Sequence, residues 1–241
     1  MLALLSFTGL AYADSPSQPK MVGSQWAVYE QVTLAPGFLN YYPAAHATTI
    51  STGGVQFSMP DASLVSTSNS PTYVNYLLDT FTTSLTTGNT ITATINVVTN
   101  PSGASPVSFV GNPDGGCPSG LCPGAVRLFI QANLPADGSA TCLGASGNEY
   151  NVNNYWWADA ASYTFVPGPS GTITLTASLS GAWSGICGNP STSDPVAFNS
   201  ALSDIKYVGL SFGSGSFFSN GLGVDGTTGT ATFQLISYTI S

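Results

Sequence analysis

Between Gly171 and Ser180 every second residue is apolar: Ile173, Leu175, Ala177 and Leu179 alternate with Thr172, Thr174, Thr176 and Ser178. Ile91, Ala93, Ile95 and Val97 alternate in the same way with Thr92, Thr94 and Asn96. Two later runs, Val208-Leu210-Phe212 and Ala231-Phe233-Leu235, repeat the pattern. A period of two belongs to strands with one buried face, because successive side chains on a strand point to opposite sides. After Leu235 the phase changes, and Ile236, Tyr238 and Ile240 come to share a face, which a β-bulge would produce. Gly and Pro clusters separate the runs. One helix is expected, with Asp194 as its cap, Pro195 at its first position, and Phe198, Ala201, Leu202 and Ile205 at helical spacing. Roughly eight to ten strands with almost no helix between them predict an all-β, jelly-roll β-sandwich of two antiparallel sheets. No linker divides the chain, so residues 25–241 are expected to form a single domain.

Charge narrows the function classes. Only 6% of the 241 residues are charged, the formal net charge is −8, and Lys20, Arg127 and Lys206 are the only basic residues besides His46. Nucleic acid and anionic membrane surfaces would find no counter-charge here. A surface built from hydroxyls and amides changes little as carboxylates protonate, so the chain is expected to tolerate acid.

Residues 1–13, MLALLSFTGLAYA, read as a signal peptide, with Ala11 and Ala13 as the small residues before the cleavage point. The apolar run is too short to span a bilayer. Residues 14–24 read as a loosely held polar leader. The expected location is extracellular, and four cysteines fit it. Cys117 with Cys122, and Cys142 with Cys187, is the expected disulfide pairing, although spacing alone does not fix connectivity. C-x4-C with a single histidine suits neither tetrahedral zinc nor a redox dithiol.

The candidate binding residues are aromatic and amide. In Asn153-Asn154-Tyr155-Trp156-Trp157, one tryptophan can fill the core while the other stands out on the opposite face. Tyr155, Trp156 or Trp157, Trp183 and Phe217 or Phe218 are candidate platforms for stacking on a sugar ring. Asn154 and Asn220 would supply amides, and Arg127 a fixed donor fork. In Ala125–Asn133, Val126, Leu128 and Ile130 share one face; Arg127, Phe129 and Gln131 share the other, a useful set for a ligand surface. Core packing is the commoner use of any single aromatic ring. Glu30 lies on the apolar parity of its strand, so it either escapes to solvent at a strand end or is partly buried with a raised pKa.

The runs YWW, TLTASLSGAWSGICG, VGLSFGSGSFFSNG and GTATFQLISYTI resemble a group of uncharacterised secreted bacterial proteins. These are similar to the galactose-binding-like jelly rolls of many carbohydrate-binding modules. The resemblance implies a non-catalytic module that binds a polysaccharide or other glycan and needs no cofactor. Many modules of that fold hold a structural calcium, whose ligands are not identified in this sequence. Two other readings stand beside it. Low charge and Thr-rich strand faces suit a surface-matrix, adhesin or fibre subunit. An acid-active β-sandwich hydrolase would need two carboxyls about 5–10 Å apart, and Glu30 and Glu149 are the only glutamates.

Overall fold

The structure, a computed structural model, describes residues 18–33, 39–62, 72–112, 124–133, 141–143, 149–151, 154–164, 171–214 and 220–241. The expected signal peptide (residues 1–13), Cys117, Cys122, Asn153, Phe217 and Phe218 lie outside these residues, as do the side chains of Cys142 and Glu149.

A 3-10 turn at Gly23–Gln25 leads into β1 (Trp26–Thr33), β2 (Leu39–His46), β3 (Thr48–Thr49), β4 (Val55–Ser58) and β5 (Tyr73–Thr80). Then come β6 (Thr90–Pro101), β7 (Phe109–Gly111), β8 (Gly124–Ala132), β9 (Thr141–Leu143), β10 (Glu149–Asn151) and β11 (Tyr155–Thr164). The chain ends with β12 (Thr172–Ser178), β13 (Trp183–Gly185), helix α1 (Pro195–Ser203), β14 (Ile205–Ser214), β15 (Leu222–Val224) and β16 (Gly229–Ile240). The strands build an all-β sandwich. The large sheet has the order β13-β11-β8-β14-β5-β1-β2, with β15 and β7 attached at β5. The small sheet has the order β12-β6-β16-β4-β3, and β9 and β10 form a separate hairpin. All strand pairs within the sheets are antiparallel.

The alternation places the core. Leu77, Val126, Leu128, Ile130, Trp156, Val208, Leu210 and Phe212 of the large sheet meet Ile91, Ile95, Leu175, Phe233, Leu235 and Ile240 of the small one in one buried cluster. Phe57, Phe212 and Phe233 pack as a trio, with ring centroids 5.0 to 5.9 Å apart. The small sheet turns its hydroxyls outward: Thr92 faces Thr176 at 3.3 Å between oxygens, and Thr94 faces Thr174 at 3.5 Å. The register of β16 against β6 slips between Leu235 and Ser237, which is the bulge expected from the phase change. Ile236 is left 38% exposed, so it does not share the buried face of Tyr238 and Ile240.

The leader is not loosely held where it is described. The Gln18 side-chain amide donates to the backbone carbonyl of Ile240 and its oxygen accepts from the Ile240 N–H, so it reads the end of β16 much as a paired strand would. The carbonyl of Lys20 accepts from the indole N–H of Trp26, which is fully buried.

Helix α1 forms as its sequence predicts as far as Ser203; Ile205, expected at helical spacing, instead opens β14. The Asp194 side chain accepts from the Ala197 N–H at 3.2 Å, Pro195 takes the first turn, and Phe198, Ala201 and Leu202 are buried. Asp194→Ala is expected to cost about 1 kcal/mol, as loss of a cap does, measured as a lower urea midpoint with an unchanged slope.

Candidate functional site

Four of the expected binding residues, Trp156, Trp183, Asn154 and Asn220, are buried. Trp156 is fully buried, faces the small sheet and packs on Phe198 at 4.8 Å. Trp183 is also fully buried, stacks on Phe198 at 6.0 Å and donates its indole N–H to the Ser178 carbonyl at 3.0 Å. Asn220 is buried and spends its amide on the Asn112 carbonyl at 2.6 Å. Asn154 is 4% exposed and its carbonyl accepts from the Ala132 N–H, which closes the turn into β11. The two tryptophans of the pair do point to opposite faces, but neither ring stands free. Trp157, on the outer face, is 4% exposed because Phe129 at 5.4 Å and Tyr155, stacked at 6.2 Å, cover it. Cys187 is disulfide-bonded, while the side chains of its three candidate partners lie outside the described residues.

The outer face of the large sheet holds what the tryptophans alone do not. The strand register brings residues into rows running across β11, β8, β14, β5 and β1. One row is Trp157, Phe129, Gly209, Leu78 and Ala27. The next row toward one end is Tyr155, Gln131, Tyr207 and Thr80. On the other side lie Ser162, Arg127, Ser211, Tyr76 and Tyr29. Leu78, Phe129 and Trp157 form a second apolar cluster, separate from the sandwich core, and Tyr29, Tyr76, Tyr155, Ile186 and Tyr207 pack around it half-buried. Gly209 sits in the middle of the first row, where a Cβ would come within 2.1 Å of the Leu77 carbonyl oxygen. With no side chain there, Tyr76 reaches Phe129 at 4.9 Å.

This face carries polar edges. Tyr29 meets Tyr76 edge-on at 6.5 Å and is hydrogen-bonded to Tyr207; burial and the Tyr207 hydroxyl push the Tyr29 phenol up to about 12. Lys206 places its ammonium 5.2 Å from the Tyr207 ring centre. Arg127 is half-buried and donates to the Asp159 carbonyl at 3.3 Å; burial lowers its pKa, against the pull of Asp159. Beside Tyr29 and Tyr207 the surface dips into a cavity of about 310 Å³, edged by Gln25, Thr80 and His46. Asp79 also borders it, 5% exposed, with its carboxyl pushed up to about 6 by burial and partly held down by the Thr80 N–H.

The assignment of Arg127, Phe129 and Gln131 to the outward face of β8 was legible, and Tyr155 belongs with them. Tyr29, Tyr76 and Tyr207 were missed. Tyr207 precedes the apolar run of β14 on the opposite parity, and that parity was the available signal. Tyr76 is masked by a bulge: Tyr29 pairs with Tyr76 but Glu30 with Val74, which leaves Asn75 outside the register.

Glu30 is half-buried, and burial raises its carboxyl to about 7. It opens into a different cavity from Asp79, so these two raised carboxyls do not form a hydrolytic pair around one space. Among the described residues no group of three or more His, Cys, Asp or Glu side chains is placed to hold a metal ion. No described helix is long and apolar enough to cross a membrane. A scan of the chain against protein-family models finds no match, and a search of curated proteins finds none either.

Proposed function

We propose that the protein is an extracellular, non-catalytic carbohydrate-binding module whose ligand lies across the outer face of the large sheet. One observation carries this reading: Tyr29, Tyr76, Tyr155 and Tyr207 are half-buried around Phe129 and Trp157, and Tyr29 and Tyr207 also border the 310 Å³ cavity. A sugar ring offers apolar C–H faces and a rim of hydroxyls. A tyrosine held by its neighbours offers an apolar face at little further entropy cost and a polar tip. Trp157 and Phe129 then act as the base that fixes the exposed rings, and Gln131, Gln25 and Thr80 supply hydrogen-bonding groups at the edge. The neutral surface leaves stacking and hydrogen bonding to provide the affinity.

Screening the purified protein against a panel of soluble polysaccharides and immobilised glycans tests the reading. Binding to at least one neutral polysaccharide is expected. Tyr76→Ala and Tyr155→Ala are each expected to weaken it by about 1–2 kcal/mol, roughly 5–30-fold. A protein that binds no glycan in the panel, or binds one equally well in both variants, would rule this face out.

A further inference from the structure

We propose that the cleft between β1 and the β3–β4 edge of the small sheet is a second binding site, for a ligand bearing a primary ammonium group, with Glu30 as its counter-charge. The cleft has a volume of about 330 Å³ and is lined by Glu30, Thr48, Gln56 and Ser58 over an apolar floor of Val28 and Phe57. It exists because β3 pairs with β4 only at Gln56 and Val55, which leaves the edge at Phe57 and Ser58 open toward β1.

The Glu30 side chain is half-buried, and among the described residues it has no hydrogen bond and no ion pair. A carboxylate removed from water without a partner is costly. At this position Gln would fill the same volume without that cost. None of the chain's own cations, Lys20, Arg127 and Lys206, lines the cleft. Across the cleft, Thr48, Gln56, Ser58 and Thr232 are uncharged, and His46, exposed on β2, is the one other titratable group. The raised carboxyl fits the same picture: burial alone is its cause, and a bound cation would reverse it.

The donor count also matches. An ammonium has three N–H donors. Glu30 would accept one as an ion pair, and Thr48 and Ser58, which also line the cleft, are the hydroxyl-bearing candidates for the others. Thr48 already gives its proton to the Gln56 carbonyl at 3.2 Å, so its oxygen is turned to accept. Gln56 is held in place by an amide chain, in which Asn96 donates to Gln234 at 2.9 Å and Gln234 to Gln56 at 2.9 Å. Val28 and Phe57 would take the methylene stem, as apolar surface does along a lysine side chain. This site goes beyond the aromatic face and does not depend on it.

The chain has two glutamates, Glu30 and Glu149. Glutamate labelled with carbon-13 at the carboxyl therefore gives two signals, and E30Q identifies one of them. At pH 8, n-butylammonium chloride is expected to shift the Glu30 signal saturably and to lower its titration midpoint. E30Q is expected to bind the probe at least about tenfold more weakly. Glucosamine and Nα-acetyllysine amide separate a sugar source from a peptide source, and a saturable response to either supports the assignment. Tyr155→Ala is expected to leave the response intact, which separates this site from the glycan face. A Glu30 signal unmoved by n-butylammonium, or moved equally by n-butanol or by sodium chloride at the same ionic strength, overturns the proposal.

Discussion

Trp156→Ala is expected to destabilise the fold by about 3–5 kcal/mol, the range for removing a large aromatic side chain from a packed core. The indole is fully buried on the inner face of β11 and contacts Phe198 of α1 at 4.8 Å. Phe198 in turn stacks on Trp183, so three rings join the large sheet to the helix. Gly185, opposite Trp156 on β13, would bring a Cβ to within 3.3 Å of that ring, so little free space surrounds it. Collapse around the cavity should therefore be limited, and the cost should fall high in the range. The melting temperature should drop by about 10 °C or more. Tyr155→Ala, one residue away on the outer face and half-buried, should cost far less. Equal destabilisation by the two variants would mean that the faces of β11 are misassigned.

Acid is expected to stabilise this protein, where it destabilises most. Glu30 lies at about 7 against an ordinary 4.5, and Asp79 at about 6 against 3.8, and burial is the main cause in both. A carboxyl whose pKa is higher in the fold than in the unfolded chain holds its proton more tightly when folded. Stability therefore rises as pH falls through the folded value and levels off below the unfolded one. The window runs from about pH 7 down to about pH 4, bounded by the cited values. After allowance for solvent screening, the gain is about 1–2 kcal/mol per group. Calorimetry should show a melting temperature about 5–10 °C higher at pH 4.5 than at pH 8. E30Q should remove the Glu30 share by raising the value at pH 8. A melting temperature that falls over this interval would contradict the burial of both carboxyls.

Local pattern was readable, and cross-strand consequences were not. β6, β12 and the bulge after Leu235 follow from period-two alternation, since one face of each strand meets the core and the other meets water. The same logic split β8 correctly. It could not tell that Trp157 is covered, because the cover comes from Phe129, its partner across β11 and β8, and from the stacked Tyr155. Register between strands distant in sequence sets that contact. β5 was harder still: Tyr73, Val74, Asn75, Leu77, Leu78 and Asp79 are all buried, because this strand carries the core on one side and the second aromatic cluster on the other. Gln18 looks loosely held in sequence because its partner, Ile240, lies at the opposite end of the chain.

The reading depends on the outward tyrosines being a working surface rather than packing. The decisive measurement is retention of the Tyr76→Ala/Tyr155→Ala double variant on the polysaccharide that holds the wild type, taken together with its melting temperature. Loss of retention with melting within a few degrees of the wild type is the expected result. Undiminished retention by a folded double variant would show that the ligand is held elsewhere.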